Sequence, residues 1–245
     1  MDITVQKKLN KNCNLYLFCN DNLGYEYLKT IIKLCNKYEK INLTVILSAK
    51  HFRILTDDFI KTKIIKYIYF LENIFFSKSK CSKLLKKNKI NFKFIKNINS
   101  KLFIKQIPYE SIGIITGFNQ IFRKDLISRF RILVNFHPSL LPSYRGPMPS
   151  NWIIRNREKF TGVTMHIVTE KIDEGKIIYN KSLIIKENDT EETLDYEVSK
   201  LGAEILKKHF FDIIRGNLKK ELEYEIHNLK ASYYGFVNRS KVNYD

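Results

Sequence analysis

Apolar and polar positions alternate in short blocks along the first half of the chain. Six apolar runs bounded by polar residues are typical of buried strands, at residues 14–19, 42–47, 67–70, 92–95, 111–117 and 131–137. After the first run, Asp21 is placed to cap a helix whose apolar face is formed by Leu23, Tyr27, Ile31 and Leu34. Residues 83–96 predict a helix with one solvated face followed by a strand, and residues 122–129 predict a short helix. Strands separated by helices indicate an α/β fold with a Rossmann-like, doubly wound and mostly parallel sheet.

The second half has a different pattern. Residues 162–168 and 177–185 alternate in polarity and predict an antiparallel hairpin joined by a loop. A long helix follows, with a predicted capping box of Asp189 and Glu192 and an apolar stripe formed by Leu194, Val198, Leu201 and Ile205. Residues 222–228 and 231–237 predict a small β-hairpin whose aromatic side chains need a partner, either the parent domain or a second subunit. We therefore expect a catalytic domain at residues 1–215 and a hairpin tail at 216–245 that forms a homodimer.

Composition narrows the class of protein. Of 245 residues, 44% are hydrophobic, which is enough for a packed core, and the net charge is +18. Such charge suits a nucleic-acid or membrane-surface partner, but the lysines are spread along the chain and more often form a solvated surface. We therefore expect neither nucleic acid nor membrane as partner, and a positive surface that attracts a substrate carrying phosphates or carboxylates.

Cysteine usage and hydropathy indicate the compartment. The four cysteines form no CxxC pair and no zinc spacing with histidine, so we expect free thiols in a reducing compartment and no metal. No apolar run is long enough for a signal peptide or a membrane span, which predicts a cytoplasmic protein.

The chain also lacks GxGxxG, GxxxxGK[ST] and GxSxG motifs. Their absence disfavours dinucleotide chemistry, P-loop chemistry and a serine nucleophile.

The stretch NFHPSLLPSYRG, residues 135–146, carries the candidate chemistry. Because successive side chains of a strand point to opposite faces, Asn135 and His137 share a face at the carboxyl end of a strand, where open α/β sheets bind ligands. Histidine exchanges protons near neutral pH, and an amide can donate to a developing oxyanion. The alternative is a turn-capping Asn135 and a boundary His137 with a structural role.

Asp173, in the predicted hairpin loop, offers a carboxylate to this pair. Spacing alone leaves an ordinary turn aspartate equally open. An amide, an imidazole and a carboxylate without a nucleophile suit the direct attack of an external amine on a carbonyl, through a tetrahedral intermediate.

Two motifs carry a family resemblance. NFHPSLLPSYRG and TGVTMHIVTEKIDEGKI resemble the signatures of the folate-dependent formyltransferases, best over residues 111–215. The resemblance implies that N10-formyltetrahydrofolate is the cosubstrate and that Asn135, His137 and Asp173 are the catalytic trio, while His166 is structural. It also implies that pterin is bound by the 115–122 loop and by the loop that precedes Asp173, through Phe118, Gln120, Ile121, Phe122, Val168, Thr169 and Lys171.

The acceptor amine distinguishes three branches of that family. The YRGPMP sequence, with Trp152 after it, argues against the purine-pathway branch, which tends to have PxxPG. About thirty residues follow the long helix, fewer than the appended barrel of methionyl-tRNA formyltransferases needs. The KASYY segment resembles the branch that formylates nucleotide-linked amino sugars, so we expect dTDP-4-amino-4,6-dideoxyglucose as substrate, for O-antigen synthesis.

Three substrate contacts and three rival functions accompany this expectation. The candidate substrate-binding residues are Tyr144, Arg145 and Trp152, whose alternative role is packing of a Pro-rich loop. The rivals are methionyl-tRNA formylation, a non-catalytic basic nucleic-acid-binding module on this fold, and a hydrolase that deformylates the folate.

Overall fold

The computed structural model describes residues 12–38, 40–48, 79–218 and 229–236. The described strands are β1 Cys13–Cys19, β2 Ile41–Leu47, β3 Asn91–Phe94, β4 Ser111–Thr116, β5 Phe130–His137, β6 Phe160–Ile167 and β7 Ile177–Ile184. The described helices are α1 Gly24–Cys35, α2 Lys80–Lys87, α3 Lys101–Lys105, α4 Lys124–Ile127, α5 Pro149–Arg155 and α6 Glu191–Arg215. The predicted strands at 67–70 and 222–228 lie outside the described residues.

The seven strands form one sheet in the order β3-β2-β1-β4-β5-β6-β7. Strands β1 to β5 pair in parallel, whereas β6 and β7 are antiparallel, which confirms the predicted hairpin. The chain winds outward from β1 to β3 and then returns to β4 on the other side of β1. This confirms the predicted doubly wound, mostly parallel sheet.

Alternation along the strands builds two hydrophobic clusters, one on each face of the sheet. Leu15 and Leu17 of β1 belong to the first cluster, together with α1 and α6. Tyr16 and Phe18 of the same strand belong to the second, together with α3 and α4. The helix stripe predicted on α6 is confirmed, because Leu194, Val198, Leu201 and Ile205 are all buried in the first cluster.

Both predicted helix caps were wrong. Helix α1 begins after Leu23 and has no side-chain cap. The Asp21 carboxylate instead accepts the backbone N–H groups of Lys80 and Cys81, at 3.0 and 2.9 Å, and so supports the start of α2. Fifty-nine residues separate Asp21 from Lys80, so local spacing did not reveal this contact.

At α6 the capping box is formed by Thr190 and Thr193, one residue later than the predicted pair. Asp189 accepts the Thr193 hydroxyl and the Lys186 N–H instead, at 2.8 Å each. The short Asp189 side chain therefore stabilises the turn before the helix, and Glu192 lies in the first helical turn.

Candidate active site

Strand β5 brings Asn135 and His137 to the carboxyl edge of the sheet. The intervening Phe136 is 2% exposed and packs in the first cluster, so the two polar side chains leave the strand on the opposite face. Strand β6 pairs antiparallel with this end of β5 and sets His166 opposite Asn135. The predicted shared face is confirmed, and a histidine from the neighbouring strand joins it.

The Asp173 carboxylate lies at the centre of this group. Its oxygens are 3.6 Å from His137 Nδ1, 3.6 Å from His166 Nε2 and 3.5 Å from Asn135 Nδ2. The backbone N–H of Gly146 donates to it at 2.8 Å. The structure thus brings together Asn135, His137 and Asp173, a grouping that the family resemblance implied and that residue spacing alone had left open.

Carbonyl partners determine which ring nitrogen of each histidine carries hydrogen. His137 Nε2 is 2.8 Å from the Tyr144 carbonyl oxygen, which only accepts, so Nε2 carries the hydrogen and Nδ1 of the neutral ring has a lone pair facing Asp173. His166 Nδ1 is likewise 2.9 Å from the Ile167 carbonyl. Its Nε2 therefore accepts the Asn135 Nδ2–H at 3.1 Å, which fixes the orientation of the Asn135 amide.

Burial and charge set the protonation of the central pair. Burial lowers the pKa of His137 below its ordinary value, more than the opposing effect of the Asp173 carboxylate raises it. Burial also acts to raise the pKa of Asp173, but His137, His166 and the Gly146 N–H together hold it well below its usual range. At neutral pH the site therefore has a neutral imidazole beside a carboxylate, with a lone pair on each side of the 3.6 Å gap.

Two loops with unusual backbone hold these groups. Tyr144, Met148 and Asp173 have φ of 57°, 57° and 52°, in the left-handed region that non-glycine residues rarely adopt. Behind Asp173 the hairpin loop packs tightly on β6, since a Cβ at Gly175 would lie 1.6 Å from the Ile167 carbonyl oxygen. Surrounding contacts keep both loops in these conformations, and the position of the carboxylate depends on them.

The two segments predicted to bind pterin both pack on the second cluster. Phe118 and Phe122 pack in the second cluster, and Val168 packs against the same cluster. Gln120 has a structural role for its side chain, which bonds to the backbone of Ile98 and Ile95 at 3.1 Å each. The remaining predicted residues lie at the surface, with Ile121 51% exposed, Thr169 bonded to the Lys171 carbonyl, and Lys171 paired with Glu174.

The three candidate substrate contacts make intramolecular contacts. The Tyr144 ring stacks on Tyr234 at a centroid distance of 5.0 Å, and Trp152 Nε1 donates to the Gly235 carbonyl at 2.9 Å. The Arg145 guanidinium is 3.4 Å from Glu174, and its Nε is buried without a hydrogen-bond partner in the described part of the chain. Arg145 alone of the three thus has an unsatisfied donor.

Sequence reasoning missed the groups that support the trio through backbone. The buried Thr164 hydroxyl donates to the Ser139 carbonyl at 2.7 Å and accepts the Leu141 N–H at 3.0 Å, which ties the loop after His137 to β6. The TGVT motif marked this position, but alternation along a strand does not identify a loop anchor. Within the described residues there is no group of three or more His, Cys, Asp or Glu that suits a metal ion.

Hydropathy adds one finding. Across the described ranges, no helix combines the length and the apolar character needed to cross a membrane.

Comparison with known proteins agrees with this site. The bifunctional polymyxin resistance protein ArnA of Wigglesworthia glossinidia brevipalpis is 37% identical over 152 residues, 61% of this chain and 23% of the relative. Methionyl-tRNA formyltransferase of Clostridioides difficile is 35% identical over 133 residues, 54% of this chain and 42% of the relative. The chain therefore spans less than half the length of these two curated relatives.

A solved structure shows the same fold. WlaRD, a sugar 3N-formyl transferase crystallised in the presence of dTDP and 5-N-formyl-THF, superposes with a TM-score of 0.65 at 24% identity. The match covers 96% of this chain and 72% of WlaRD. The formyl transferase family model matches residues 84–209, more than half of the chain, and includes all three of Asn135, His137 and Asp173. The chain belongs to the formyl transferase family.

Proposed function

We propose that this protein transfers a formyl group from N10-formyltetrahydrofolate to the amino group of a nucleotide-linked amino sugar. The observation that carries the proposal is the joint contact of Asn135, His137 and Asp173 at the carboxyl edge of the sheet. These groups supply a hydrogen-bond donor and a proton acceptor, and none of them is a nucleophile toward the formyl carbon. Such a site suits direct transfer between two bound substrates.

In the proposed reaction the acceptor amine attacks the formyl carbon and forms a C–N bond, while the carbonyl electrons move to oxygen. Asn135 Nδ2 has one hydrogen on His166 and a second held only by the 3.5 Å contact with Asp173. The second hydrogen can leave this long contact and donate a hydrogen bond to the oxyanion, because a charged acceptor at closer range forms the stronger bond. We therefore assign oxyanion stabilisation to Asn135.

The attacking nitrogen must lose a proton before the intermediate collapses. The lone pair of His137 Nδ1 and the Asp173 carboxylate face each other across 3.6 Å, and neither carries hydrogen at neutral pH. A proton taken up by this pair, directly or through water, is stabilised by both partners. The C–N10 bond then breaks, N10 of tetrahydrofolate takes up a proton, and the pair returns to its starting state.

The donor is proposed to bind between the two segments at the second cluster. Phe118 and Val168 offer apolar surface for a flat ring, and the backbone of residues 120–122 offers hydrogen bonds to a pterin edge. WlaRD was crystallised with 5-N-formyl-THF, which supports a folate donor on this fold. Apolar side chains such as Phe118 and Val168 are the kind that line binding sites for flat rings.

For the acceptor, we propose a dTDP-linked sugar, most specifically dTDP-4-amino-4,6-dideoxyglucose. The presence of dTDP with WlaRD supports this class, and Arg145 Nε, which has no hydrogen-bond partner among the described residues, is a donor suited to phosphate. The product would enter a bacterial surface polysaccharide such as an O-antigen, and the enzyme would act as a cytoplasmic homodimer.

Methionyl-tRNA is the second candidate acceptor. The curated relative at 35% identity is a methionyl-tRNA formyltransferase, and the net charge of +18 favours a polyanion. The non-catalytic binding module remains the alternative of another class.

One experiment separates these functions. The protein is incubated with N10-formyltetrahydrofolate and, separately, with a panel of dTDP- and UDP-linked amino sugars or with methionyl-tRNA, and products are measured by mass. We expect a gain of about 28 Da on an amino sugar, because a formyl group, CHO, replaces one hydrogen of the amine and the net addition is CO. Formylation of methionyl-tRNA alone would establish the second candidate, and folate turnover without any amine would establish a hydrolase.

A further inference from the structure

A short segment far along the chain lies against the loop that supports the trio. Residues 230–235 run beside Ser143–Gly146, and Arg145 and Tyr233 form a parallel bridge. Arg145 N donates to the Ser232 carbonyl and Tyr234 N donates to the Arg145 carbonyl, both at 2.9 Å. The 230–235 segment therefore adds a short strand-like support to a loop outside the main sheet.

Ser232 makes three of the contacts in this support. Its backbone N–H donates to the Pro142 carbonyl at 3.2 Å, and its carbonyl accepts the Arg145 N–H. Its side-chain Oγ accepts the Tyr144 N–H at 2.9 Å. One half-buried serine thus contacts three residues of the loop that follows His137, namely Pro142, Tyr144 and Arg145.

The same loop residues contact the trio from the other side. The Tyr144 carbonyl accepts the His137 Nε2–H at 2.8 Å, and the Gly146 N–H donates to Asp173 at 2.8 Å. Tyr144 therefore links Ser232 to His137 through its backbone. Its N–H donates to Ser232 Oγ, and its carbonyl accepts from the His137 imidazole.

The backbone of this loop needs such support. Tyr144 has φ of 57°, in the left-handed region, which is less favourable for a non-glycine residue than ordinary backbone. Gly146 has φ of 96°, and a Cβ there would lie 2.4 Å from the Tyr234 carbonyl oxygen, so the segment presses close to the loop. Stacking of Tyr234 on Tyr144, with an interplanar angle of 11°, adds a second restraint.

We propose that Ser232 is a positioning residue of the active site, which fixes His137 and Asp173 through the backbone of Tyr144–Gly146. The inference deepens the proposed function and rests on it where turnover is concerned. Ser232 acts through the backbone of this loop, so its effect is on the geometry and the ring tautomer of His137. Loss of the Ser232 hydroxyl leaves the Tyr144 N–H without its acceptor and frees the loop to move.

The test compares Ser232→Ala with Ser232→Thr, which retains a hydroxyl, and with Ser128→Ala. Ser128 is exposed, and its hydroxyl bonds only within its own turn, to the Asp125 carbonyl at 3.0 Å. Each full-length variant is assayed for kcat and for KM of the folate donor, and the ring nitrogens of His137 are followed by ¹⁵N NMR. Circular dichroism checks that each variant is folded.

For Ser232→Ala we expect kcat to fall by about 10- to 100-fold with KM of the folate within about twofold, because misplacement of catalytic groups acts on the reacting geometry. The Nε2–H signal of His137 should lose population, since a loop that is free to move brings the Tyr144 carbonyl to that hydrogen less often. Ser232→Thr should recover most of both losses, and Ser128→Ala should match the wild type.

A fall in kcat with an unchanged His137 spectrum would overturn the proposal, as would an unchanged kcat. If Ser232→Ala does not fold, Ser143→Ala replaces it, because the Ser143 hydroxyl donates to the Lys230 carbonyl at 2.7 Å and anchors the same segment. If the wild type transfers no formyl group, the proposed function fails. The NMR comparison then decides by itself whether Ser232 fixes His137.

Discussion

The replacement of Asp173 by asparagine tests the proton-accepting pair most directly. The change keeps the size of a side chain that is 12% exposed and removes only its charge. In the resting site His137 is neutral, because burial lowers its pKa, so its attraction to the carboxylate develops only as the ring takes up the amine proton. The interaction is therefore larger in the transition state than in the ground state, as catalysis requires.

The distance gives the size of this effect. At an effective dielectric constant of about 20, unit charges 3.6 Å apart, as His137 Nδ1 and Asp173 Oδ2 are, attract by about 4–5 kcal/mol. Since about 1.4 kcal/mol corresponds to a factor of ten in rate, kcat of Asp173→Asn should fall by about 10³-fold. The KM of the folate should change little, because the Asp173 carboxylate contacts Asn135 and His137 and is not one of the residues proposed to bind the pterin.

The assay is steady-state formyl transfer at pH 7.5 with the acceptor identified by mass, and Asp212→Asn is the matched control. Asp212 is half-exposed and lies 3.8 Å from the buried His209 on α6. The Asp212→Asn variant therefore removes a carboxylate that lies beside a histidine but outside the site. Its kcat should equal that of the wild type. A kcat of Asp173→Asn within tenfold of the wild type would refute the charge argument, and an equal loss in Asp212→Asn would show a general effect of removing charge.

Three further predictions follow from the same geometry. Asn135→Ala should lower kcat by about 10²- to 10³-fold, the usual cost of one oxyanion donor, and a kcat within threefold or so of the wild type would contradict that role. In a pH–rate series, the acid limb of kcat should have its midpoint below pH 6.5. Burial lowers the pKa of His137, so the neutral ring is lost only as pH falls through that lowered pKa. A midpoint above pH 6.5 would be inconsistent with this assignment. Gly175→Ala should lower the free energy of unfolding in urea by about 2 kcal/mol or more, because the new Cβ meets the Ile167 carbonyl. Gly235→Ala is the control, and it should change stability little because nothing lies within 4 Å of a Cβ there. Equal urea midpoints for the two variants would show that the Gly175 loop is not tightly packed.

Stability should also depend on pH through Asp173. The pKa of Asp173 is lower in the folded protein than its ordinary value of 3.8. The carboxylate therefore contributes its full stability above pH 3.8, and this contribution is lost as pH falls through the folded pKa. The difference in melting temperature between the wild type and Asp173→Asn should therefore narrow in acid.

Local periodicity predicted much of the fold because burial follows alternation directly. Residues of β1 divide between two clusters as their positions alternate, and the stripe on α6 lies where helical spacing placed it. The prediction that Asp21 caps α1 failed because its partners, the N–H groups of Lys80 and Cys81, belong to the start of α2, which is distant in sequence. A side chain that prefers a helix start does not specify which helix.

The site divides in the same way. Strand alternation predicted the shared face of Asn135 and His137, whereas the distance from Asp173 to them depends on how β6 pairs with β5. Sequence reasoning could not find the support from Ser232, because the partner of its hydroxyl is a backbone N–H, that of Tyr144, and a motif does not reveal which backbone group a distant side chain meets. Side-chain chemistry is visible in a motif, and backbone contacts emerge only with the fold.

The fixed amide of Asn135 has a consequence for the choice of one-carbon group. Because His166 Nδ1 donates to the Ile167 carbonyl, its Nε2 holds the Asn135 nitrogen, and the amide keeps one orientation without flipping. The group offered to the reacting carbon is then an N–H donor, which pairs with an oxygen and repels a protonated nitrogen. A folate that carries a formimidoyl group instead of a formyl group would meet donor against donor. If the proposed function holds, we expect these two hydrogen bonds on a neighbouring strand to let the site distinguish an oxygen from a nitrogen on otherwise similar carriers.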